Sequence, residues 1–203
     1  MVHLEVLVEE QSAEKALKAL LPKLGVTDFH IHSFQGKQDL LRKLPERLAG
    51  YSKSLPTDSR VVVILDRDRD DCAELKGRLQ TVAVQAGMTP KSQEAPDHFR
   101  VLNRVVVNEL EAWFLGDVEA VRAAYPRVPS TLASKARYRD PDAIRGGASE
   151  ALERVLQRAG YYTAGLPKIE AAERISAHMD PDRNRSHSFQ VFCSGVRALL
   201  ASG

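Results

Sequence analysis

The stretch that most constrains this chain is residues 61–71, VVVILDRDRDD, where five aliphatic residues run directly into four aspartates and two arginines. Four of the five aliphatic residues are β-branched, and so short an apolar run is typical of a strand buried on both faces, as in a parallel sheet. In open α/β sheets, ligands bind beyond the carboxyl ends of the strands. We therefore expect Asp66 and Asp68 at such an edge. Residues two apart on an extended backbone point the same way, so both carboxylates could bind one cation.

Strands and helices are predicted to alternate along the first half of the chain. Apolar patterns predict further strands at residues 2–8, 29–34 and 101–107. Helical spacing predicts three intervening helices: one capped by Ser12, one at residues 37–51 with Pro45 as a kink or break, and one capped by Asp70 or Asp71. This alternation predicts an α/β fold with a mostly parallel four-stranded sheet flanked by helices.

Beyond Asp117 the sequence predicts helices and no strong strand. A basic, proline-containing loop at residues 126–141 is flanked by predicted helices at residues 118–125, 142–159, 168–179 and 188–201. No flexible linker separates the two halves. We therefore expect residues 1–116 to form an α/β core with an acidic metal site, and residues 117–203 to form a helical extension packed on it.

Composition places limits on location and partners. The net charge of +2 argues by itself for neither a nucleic-acid nor a membrane partner. Cys72 and Cys193 form no CxxC motif and suit a reduced cytoplasm. No apolar stretch approaches membrane-spanning length, and we expect no signal peptide, because Glu5, Glu9 and Glu10 interrupt the first apolar run. We expect a cytoplasmic protein without a membrane partner.

Three of the predicted strands end in pairs of acids, namely Glu9 and Glu10, Asp66 and Asp68, and Glu109 and Glu111. In a parallel sheet these ends meet at one edge. Two unit charges about 4 Å apart repel by about 4 kcal/mol at an effective dielectric constant of 20. Such a cluster must take up protons, pair with arginine or hold a divalent cation. Oxygen ligands without clustered Cys or His favour Mg²⁺ or Mn²⁺ over zinc, and Mg²⁺ can promote phosphodiester cleavage.

Other interpretations of the acidic stretch are available. Asp70 and Asp71 are better explained as the cap and first-turn acids of a helix. Arg67 and Arg69 could neutralise their neighbours without any metal. A calcium loop of the EF-hand type is excluded, because the sixth and twelfth positions counted from Asp66 hold Asp71 and Gly77 instead of Gly and Glu. A haloacid-dehalogenase-type phosphatase is disfavoured, because Arg69 and Asp70 depart from that family's pattern.

The acidic motifs resemble those of Toprim-like proteins, which carry a glutamate at the end of a first strand and Asp-x-Asp at the end of a later one. Here LVEEQSAE and LDRDRDD supply these two elements. Nearly the whole chain, including VNELEAWFLGD, GYYTAGLPKIEAA and NRSHSF, resembles the small bacterial family called domain of unknown function 4276. The resemblance implies a Toprim-like fold and a site for Mg²⁺ or Mn²⁺. In it Asp66 and Asp68 bind the metal, and Glu9 is a ligand or the general acid or base.

The resemblance also implies roles for acids near the third strand end. Glu109 and Glu111 fall where related overcoming-lysogenization-defect nucleases use further acids. The usual Toprim motif has glycine after its first glutamate, whereas this chain has Glu10. Either Glu9 or Glu10 could therefore be the acting glutamate.

Further expectations concern substrate and partners. Lys168, Arg185 and Ser188 lie in family-like motifs and are predicted phosphate contacts, with simple helix-end and loop polarity as the alternative. The first hypothesis is a nuclease that binds nucleic acid through its basic second half. Members of the family often occur beside ABC- or AAA-type ATPases, which implies such a partner and a role in phage defence. The alternatives are a non-catalytic nucleic-acid-binding or regulatory partner of such an ATPase, and a small-molecule phosphatase. The possibility of a homo-oligomer stays open.

Overall fold

The structure, a computed structural model, describes residues 2–92 and 99–201. The sequence also predicts a polar connection at residues 88–98, and part of it lies outside the described residues. Strands and helices alternate through the first half as β1 (Leu4–Val8), α1 (Gln11–Lys23), β2 (Phe29–Ser33), α2 (Lys37–Ser54), β3 (Arg60–Asp66), α3 (Cys72–Gln85) and β4 (Val101–Val106). Helices follow as α4 (Leu110–Gly116), α5 (Val118–Ala124), α6 (Ala148–Arg158), α7 (Lys168–Ser176) and α8 (His187–Ala201). Three short 3-10 helices connect α5 to α6, at Ser130–Ser134, Ala136–Tyr138 and Pro141–Ala143.

The four strands form one parallel sheet in the order β2-β1-β3-β4, which confirms the predicted fold class. β1 and β3 are the inner strands. From β1 the chain moves outward to β2, and from β3 it moves outward in the opposite direction to β4. The crevice between β1 and β3 is therefore the topological switch point, where α/β sheets of this kind bind ligands.

The central strand β3 is buried on both faces, as its sequence predicts. Val61, Val63 and Leu65 pack beneath α2 and α3. Val62 and Ile64 face the larger core on the opposite side of the sheet. Each such side chain contributes about 1.5–3 kcal/mol when it is removed from water. This burial holds the start of the acidic stretch in a fixed position.

Among the predictions about the first helices, the cap by Ser12 is wrong, and of the kink or break expected at Pro45 the break does not occur. The Ser12 hydroxyl does not cap α1, because Glu10 occupies the cap position and accepts a hydrogen bond from that hydroxyl at 2.6 Å. Pro45 does not break α2, which continues through it. The fully buried Leu44 and Leu48 on either side of this position anchor both halves of α2 on the sheet. Tertiary packing thus offsets the backbone hydrogen bond that proline removes.

The start of α3 agrees with the prediction. The Asp71 carboxylate accepts hydrogen bonds from the backbone N–H groups of Ala73 and Glu74 at 2.8 and 2.9 Å. Asp71 is therefore the cap of α3, as expected.

Residues 107–201 contain no strand, as expected, but their helices differ from the prediction in two places. The helix α6 begins at Ala148 and not near Asp142, because Gly146 and Gly147 take left-handed φ values of 80° and 89°. The short helix α4 was not predicted. All its residues are buried, so it lacks the one-sided apolar pattern by which a surface helix is recognised.

The helical second half packs on the first. α7 lies along α1, and the Lys23 ammonium donates to the carbonyls of Ser176, Ala177 and Met179 at 3.0, 2.8 and 2.8 Å. One apolar core contains residues from both sides of the expected boundary at residue 116. The division into two parts there stays a prediction. None of the helices within residues 2–92 and 99–201 has the length and hydrophobicity needed to cross a bilayer.

Candidate functional site at the carboxyl edge of the sheet

Backbone hydrogen bonds link acids from three strand ends. The backbone N–H of Asp66, at the end of β3, donates to Glu9 Oε1 at 3.1 Å. The backbone N–H of Leu110, at the start of α4, donates to Asp66 Oδ2 at 3.2 Å. The Asp66 carboxylate thus lies between the ends of β1 and β4. We call Glu9, Asp66, Asp68, Glu109 and Glu111 together the acidic edge.

The acidic edge carries more negative charge than its surroundings neutralise. Burial raises the pKa of Glu9 to about 7, the hydrogen bond from Asp66 opposes this shift, and the charge of Asp68 adds to it. Burial likewise raises the pKa of Asp66 well above its usual range, and the charges of Glu9 and Glu111 raise it further. Without a cation, these carboxyl groups therefore retain protons at a pH where ordinary carboxyl groups have lost them.

Glu111 has an unpaired oxygen in a buried position. Its side chain is almost fully buried, its Oε1 lies 3.4 Å from the Lys168 ammonium, and its Oε2 has no hydrogen-bond partner among the described residues. Burial raises the pKa of Glu111 in spite of Lys168. Burial lowers the pKa of Lys168, but Glu111, Glu10 and Glu109 outweigh it and leave that pKa raised. A buried carboxylate oxygen without a partner is costly, and it indicates a place for a cation or a proton.

The Asp66 and Asp68 carboxylates are not presented side by side along a strand. β3 ends at Asp66, and the chain turns so that Asp68 has a left-handed φ of 51°. Aspartate and asparagine tolerate this conformation better than most residues. The Asp68 backbone N–H donates to the carbonyl of Asn108 at 3.1 Å, which fixes the turn against the end of β4. The assumption of an extended Asp-x-Asp segment is therefore wrong.

Lys37, at the start of α2, partners this turn. Its ammonium forms an ion pair with Asp68, another with Asp70 at 3.0 Å, and a hydrogen bond to the carbonyl of Arg67 at 3.2 Å. Burial lowers the pKa of Lys37, but the bonds to Asp68 and Asp70 outweigh it and leave the pKa raised. The ammonium of Lys37 is thus paired with Asp68, a role for which the sequence had offered Arg67 and Arg69 as an alternative to a metal.

The residues that follow β4 are hydrogen-bonded to the start of α6. Glu109 Oε2 accepts from the backbone N–H of Ser149 at 2.9 Å, and Asn108 Oδ1 accepts from that of Ala148 at 3.3 Å. The positive end of a helix favours the negative charge of Glu109. Gly147 permits this approach, because a Cβ there would lie 3.2 Å from Glu109 Oε2. A cavity of about 390 Å³ opens here, lined by Asp68, Arg69, Asn108, Glu109, Gly146, Gly147 and Glu150.

Of the three predicted phosphate contacts, Lys168 lies beside the acidic edge. The Ser188 hydroxyl is buried and accepts a hydrogen bond from Trp113 Nε1 at 3.0 Å, and it also contacts Asp142. Arg185 is exposed, and its Nη2 lies 3.4 Å from the carbonyl of Tyr138. The contacts of Ser188 and Arg185 are thus with other parts of the second half, and their phosphate-binding role stays a prediction.

Sequence reasoning missed Lys37 and Asn108. The available signal for Lys37 was its position directly after Gly36, in the loop that follows a strand of a parallel sheet, because such loops all lie at one edge. The signal for Asn108 was weaker. Asparagine is enriched at left-handed positions, and the φ of Asn108 is 73°, but its contacts with α6 depend on the fold.

The potential metal ligands that lie closest together are not those of the acidic edge. Within residues 2–92 and 99–201, one group of three or more His, Cys, Asp or Glu has ligand atoms all within 4.8 Å of one another, and it is Glu5, His30 and His32. The acidic edge does not meet this criterion in the conformation described. Its carboxylates repel one another, and two of them are drawn toward Lys37 and Lys168.

Comparison with known proteins identifies relatives of the chain and of its fold. Residues 8–197 match the family described as Domain of unknown function (DUF4276). No curated protein shows significant similarity. The C-terminal region of the Burkholderia pseudomallei OLD protein has a similar structure, with a TM-score of 0.56, 16% identity and 98% of each chain covered. The C-terminal region of the Xanthomonas campestris pv. campestris OLD protein gives a TM-score of 0.53 and 16% identity, covering 98% of this chain and 96% of that one. The Toprim-like fold predicted from the sequence is confirmed.

Proposed function

We propose that this chain, which belongs to the DUF4276 family, is a Mg²⁺- or Mn²⁺-dependent nuclease that hydrolyses phosphodiester bonds. One observation carries the proposal. Glu9, Asp66 and Glu111 place buried carboxyl groups with raised pKa values at the switch point of a Toprim-like sheet. The OLD C-terminal regions share this fold, which supports the proposal at the level of architecture.

The residues present suit a hard divalent cation. The side chains of the acidic edge offer only oxygen ligands, which Mg²⁺ and Mn²⁺ prefer. Among the described residues Glu111 Oε2 has no hydrogen-bond partner, and the raised pKa values of Glu9 and Asp66 indicate too little positive charge around these carboxyl groups. We assign Asp66 and Asp68 as the main ligands, Glu109 and Glu111 as further ligands, and Glu9 as either a ligand or the general base. When bound, such an ion lowers the pKa of a coordinated water and stabilises charge on phosphate oxygens.

The side chains at the site would also position the ligands, accept a proton and attract the phosphate. Asp66 is held in place by the N–H of Leu110. Glu9 Oε1 accepts from the N–H of Asp66, which leaves Oε2 to take a proton from the attacking water. The pKa of about 7 holds without a cation, and a divalent cation bound beside Glu9 would lower it, so that the carboxylate would be ready to accept a proton at neutral pH. Lys37 and Lys168 supply positive charge on two sides of the acids, where they can attract phosphate oxygens.

The substrate in this proposal is DNA or RNA. Basic residues of the second half, including the exposed Arg127, Arg137 and Arg139, would bind backbone phosphates in a salt-sensitive manner. The family resemblance further leads us to propose a role in phage defence beside an ABC- or AAA-type ATPase.

The test is cleavage of DNA and RNA by the purified chain with Mg²⁺, with Mn²⁺ and with a chelator. We expect metal-dependent cleavage that Asp66→Asn lowers by about 100-fold or more, because loss of even an outer-sphere partner of a metal site costs about 10–100-fold. The matched control is Asp71→Asn, which removes a neighbouring charge yet keeps the helix cap, since Asn caps as well as Asp. Equal rates in Asp66→Asn and the wild type would remove Asp66 from the mechanism.

A second candidate is a non-catalytic nucleic-acid-binding or regulatory partner of an ATPase. The ion pairs of Lys37 with Asp68 and of Lys168 with Glu111 favour it, because they neutralise acids without a metal. Calorimetric titration with Mg²⁺ and Mn²⁺ separates the two candidates. Binding that Asp66→Asn abolishes supports the nuclease, and absence of binding supports the second candidate.

A further inference from the structure

The second cluster of potential ligands lies within the sheet and not at its carboxyl edge. β1 and β2 pair in parallel, with Glu5 opposite His30 and Leu7 opposite His32. Side chains alternate between faces along a strand, so Glu5, His30 and His32 share the face that Leu7 presents to α2. We call these three residues the histidine cluster.

Short contacts hold the histidine cluster together. Glu5 Oε2 accepts from the Tyr51 hydroxyl of α2 at 3.0 Å and lies 2.5 Å from His32 Nε2. Glu5 Oε1 lies 3.1 Å from His3 Nε2. The rings of His30 and His32 are 4.3 Å apart between centroids. Two imidazoles and one carboxylate from neighbouring strands therefore converge on a single point, with a third imidazole beside them.

We propose that Glu5, His30 and His32 form a transition-metal site that binds Zn²⁺ and joins the edge strand β2 to β1. Two imidazole nitrogens and a carboxylate oxygen are a donor set that favours zinc over magnesium. Zinc bonds of about 2.0–2.1 Å in a tetrahedron separate neighbouring donors by roughly 3.4 Å. The ligand atoms already lie within 4.8 Å of one another, so rotations of side chains suffice. A water molecule or His3 would complete the tetrahedron.

The surroundings prepare the cluster for a cation. The Tyr51 hydroxyl donates to Glu5 Oε2 at 3.0 Å and would keep this carboxylate oriented when an ion is bound. Such outer partners orient ligands in metal sites. The backbones of β1 and β2, hydrogen-bonded to each other, set the positions of the ligands themselves.

The site differs in kind from the acidic edge. His30 is exposed, so an ion has access to it from solvent. Zinc binding here does not require nuclease activity. Zn²⁺ is a borderline cation that imidazole nitrogens bind well, whereas the acidic edge suits the hard cations Mg²⁺ and Mn²⁺.

The experiment is calorimetric titration with Zn²⁺, paired with the visible spectrum of bound Co²⁺. It is performed on the wild type, Asp66→Asn, His30→Ala and, as a matched control, His187→Ala, whose histidine is also exposed but lies outside the cluster. We expect one zinc per chain in the wild type, in Asp66→Asn and in the control. We expect His30→Ala to weaken binding by about 10-fold or more. A tetrahedral Co²⁺ spectrum should appear in the wild type and be lost in His30→Ala.

Two results would overturn the proposal. One is absence of zinc binding by the wild type. The other is zinc binding of equal affinity in His30→Ala but lost in Asp66→Asn, which would place the ion at the acidic edge. Thermal unfolding without metal verifies that His30→Ala is folded, so that loss of binding reports loss of a ligand.

Discussion

Glu5 and Glu9 lie four residues apart at opposite ends of the same strand region, and each is 9% exposed. Their pKa values nevertheless move in opposite directions, lowered for Glu5 and raised to about 7 for Glu9. Burial raises both pKa values and does so more strongly for the more deeply placed Glu9, but the direction of the Glu5 shift requires its hydrogen-bond partners. Glu5 receives hydrogen bonds from His3, His32 and Tyr51, whereas Glu9 receives one from a backbone N–H and faces other carboxylates.

The contrast shows two ways of burying a carboxylate. In the histidine cluster the donors are supplied by the protein, and the charge is stable before any ion binds. At the acidic edge the protein supplies too few hydrogen-bond donors and positive charges for its carboxylates, and protons or a cation must supply the rest. Incomplete neutralisation is typical of functional sites, where perturbed pKa values collect.

The largest expected effect concerns which glutamate acts in the proposed nuclease. Glu9→Gln should lower metal-dependent cleavage by about 10³-fold, because a metal or its charged ligand supplies several kcal/mol and each 1.36 kcal/mol is tenfold. Glu10→Gln should lower it by less than about tenfold, since Glu10 occupies a helix-cap position and accepts from Ser12. The measurement is the initial rate at saturating Mg²⁺. A larger loss in Glu10→Gln would reverse the assignment.

A second prediction concerns the pH dependence of stability without metal. The pKa of Glu9 is about 7 in the folded chain and 4.5 for an ordinary glutamate. Between these values the unfolded chain ionises this group and the folded chain does not, so its contribution to the free energy of unfolding falls as pH rises. The fall is about 3 kcal/mol over this window.

Urea unfolding in a chelator at pH 4.5 and pH 7.5, in the wild type and in Glu9→Gln, measures this contribution as a difference. A pH dependence that is the same in both proteins would show that Glu9 titrates normally. Glu5 should behave in the opposite way: its contribution is present above pH 4.5 and is lost as pH falls through its lowered pKa.

A third prediction tests the histidine cluster without any metal. Glu5→Gln should lower the free energy of unfolding at pH 7 by about 2 kcal/mol, because hydrogen bonds to a charged group contribute about 1.5–3 kcal/mol. Urea unfolding gives the value. The control is Glu46→Gln on the exposed face of α2, expected to change stability by less than about 0.5 kcal/mol. Equal values for the two variants would contradict the account of Glu5.

The smallest expected effect has the opposite sign. Asp66→Asn should raise the free energy of unfolding by about 1 kcal/mol at pH 8 in a chelator, because it removes a carboxylate whose pKa is held high by burial and by Glu9. The amide oxygen can still accept from the N–H of Leu110. Urea unfolding of the two proteins measures the change. Destabilisation would mean that the Asp66 charge is already balanced without metal.

The parts of the fold that the sequence predicted correctly are those with a local signature. The apolar run of β3 and the Asp71 cap depend on neighbouring residues only. The helix α4 was missed because burial on all sides erases its periodicity. The left-handed turn at Asp68 depends on a bond to Asn108, forty residues away.

The candidate sites differ in the same manner. The acids at strand ends could be named from the sequence, because all parallel strands end at one edge. The histidine cluster could not, because HLE and HIH become one group only through the register that places Glu5 opposite His30. The register of β1 and β2 cannot be deduced from the spacing of residues within either motif.

The ammonium of Lys23, which joins the end of α1 to three carbonyls around the end of α7, has a consequence for how such chains can be recombined. A hybrid that took α1 from one relative and α7 from another would have to reproduce these hydrogen bonds and the packing of α1 against α7. We therefore expect the front and rear portions of this chain to keep the fold only when they are exchanged together.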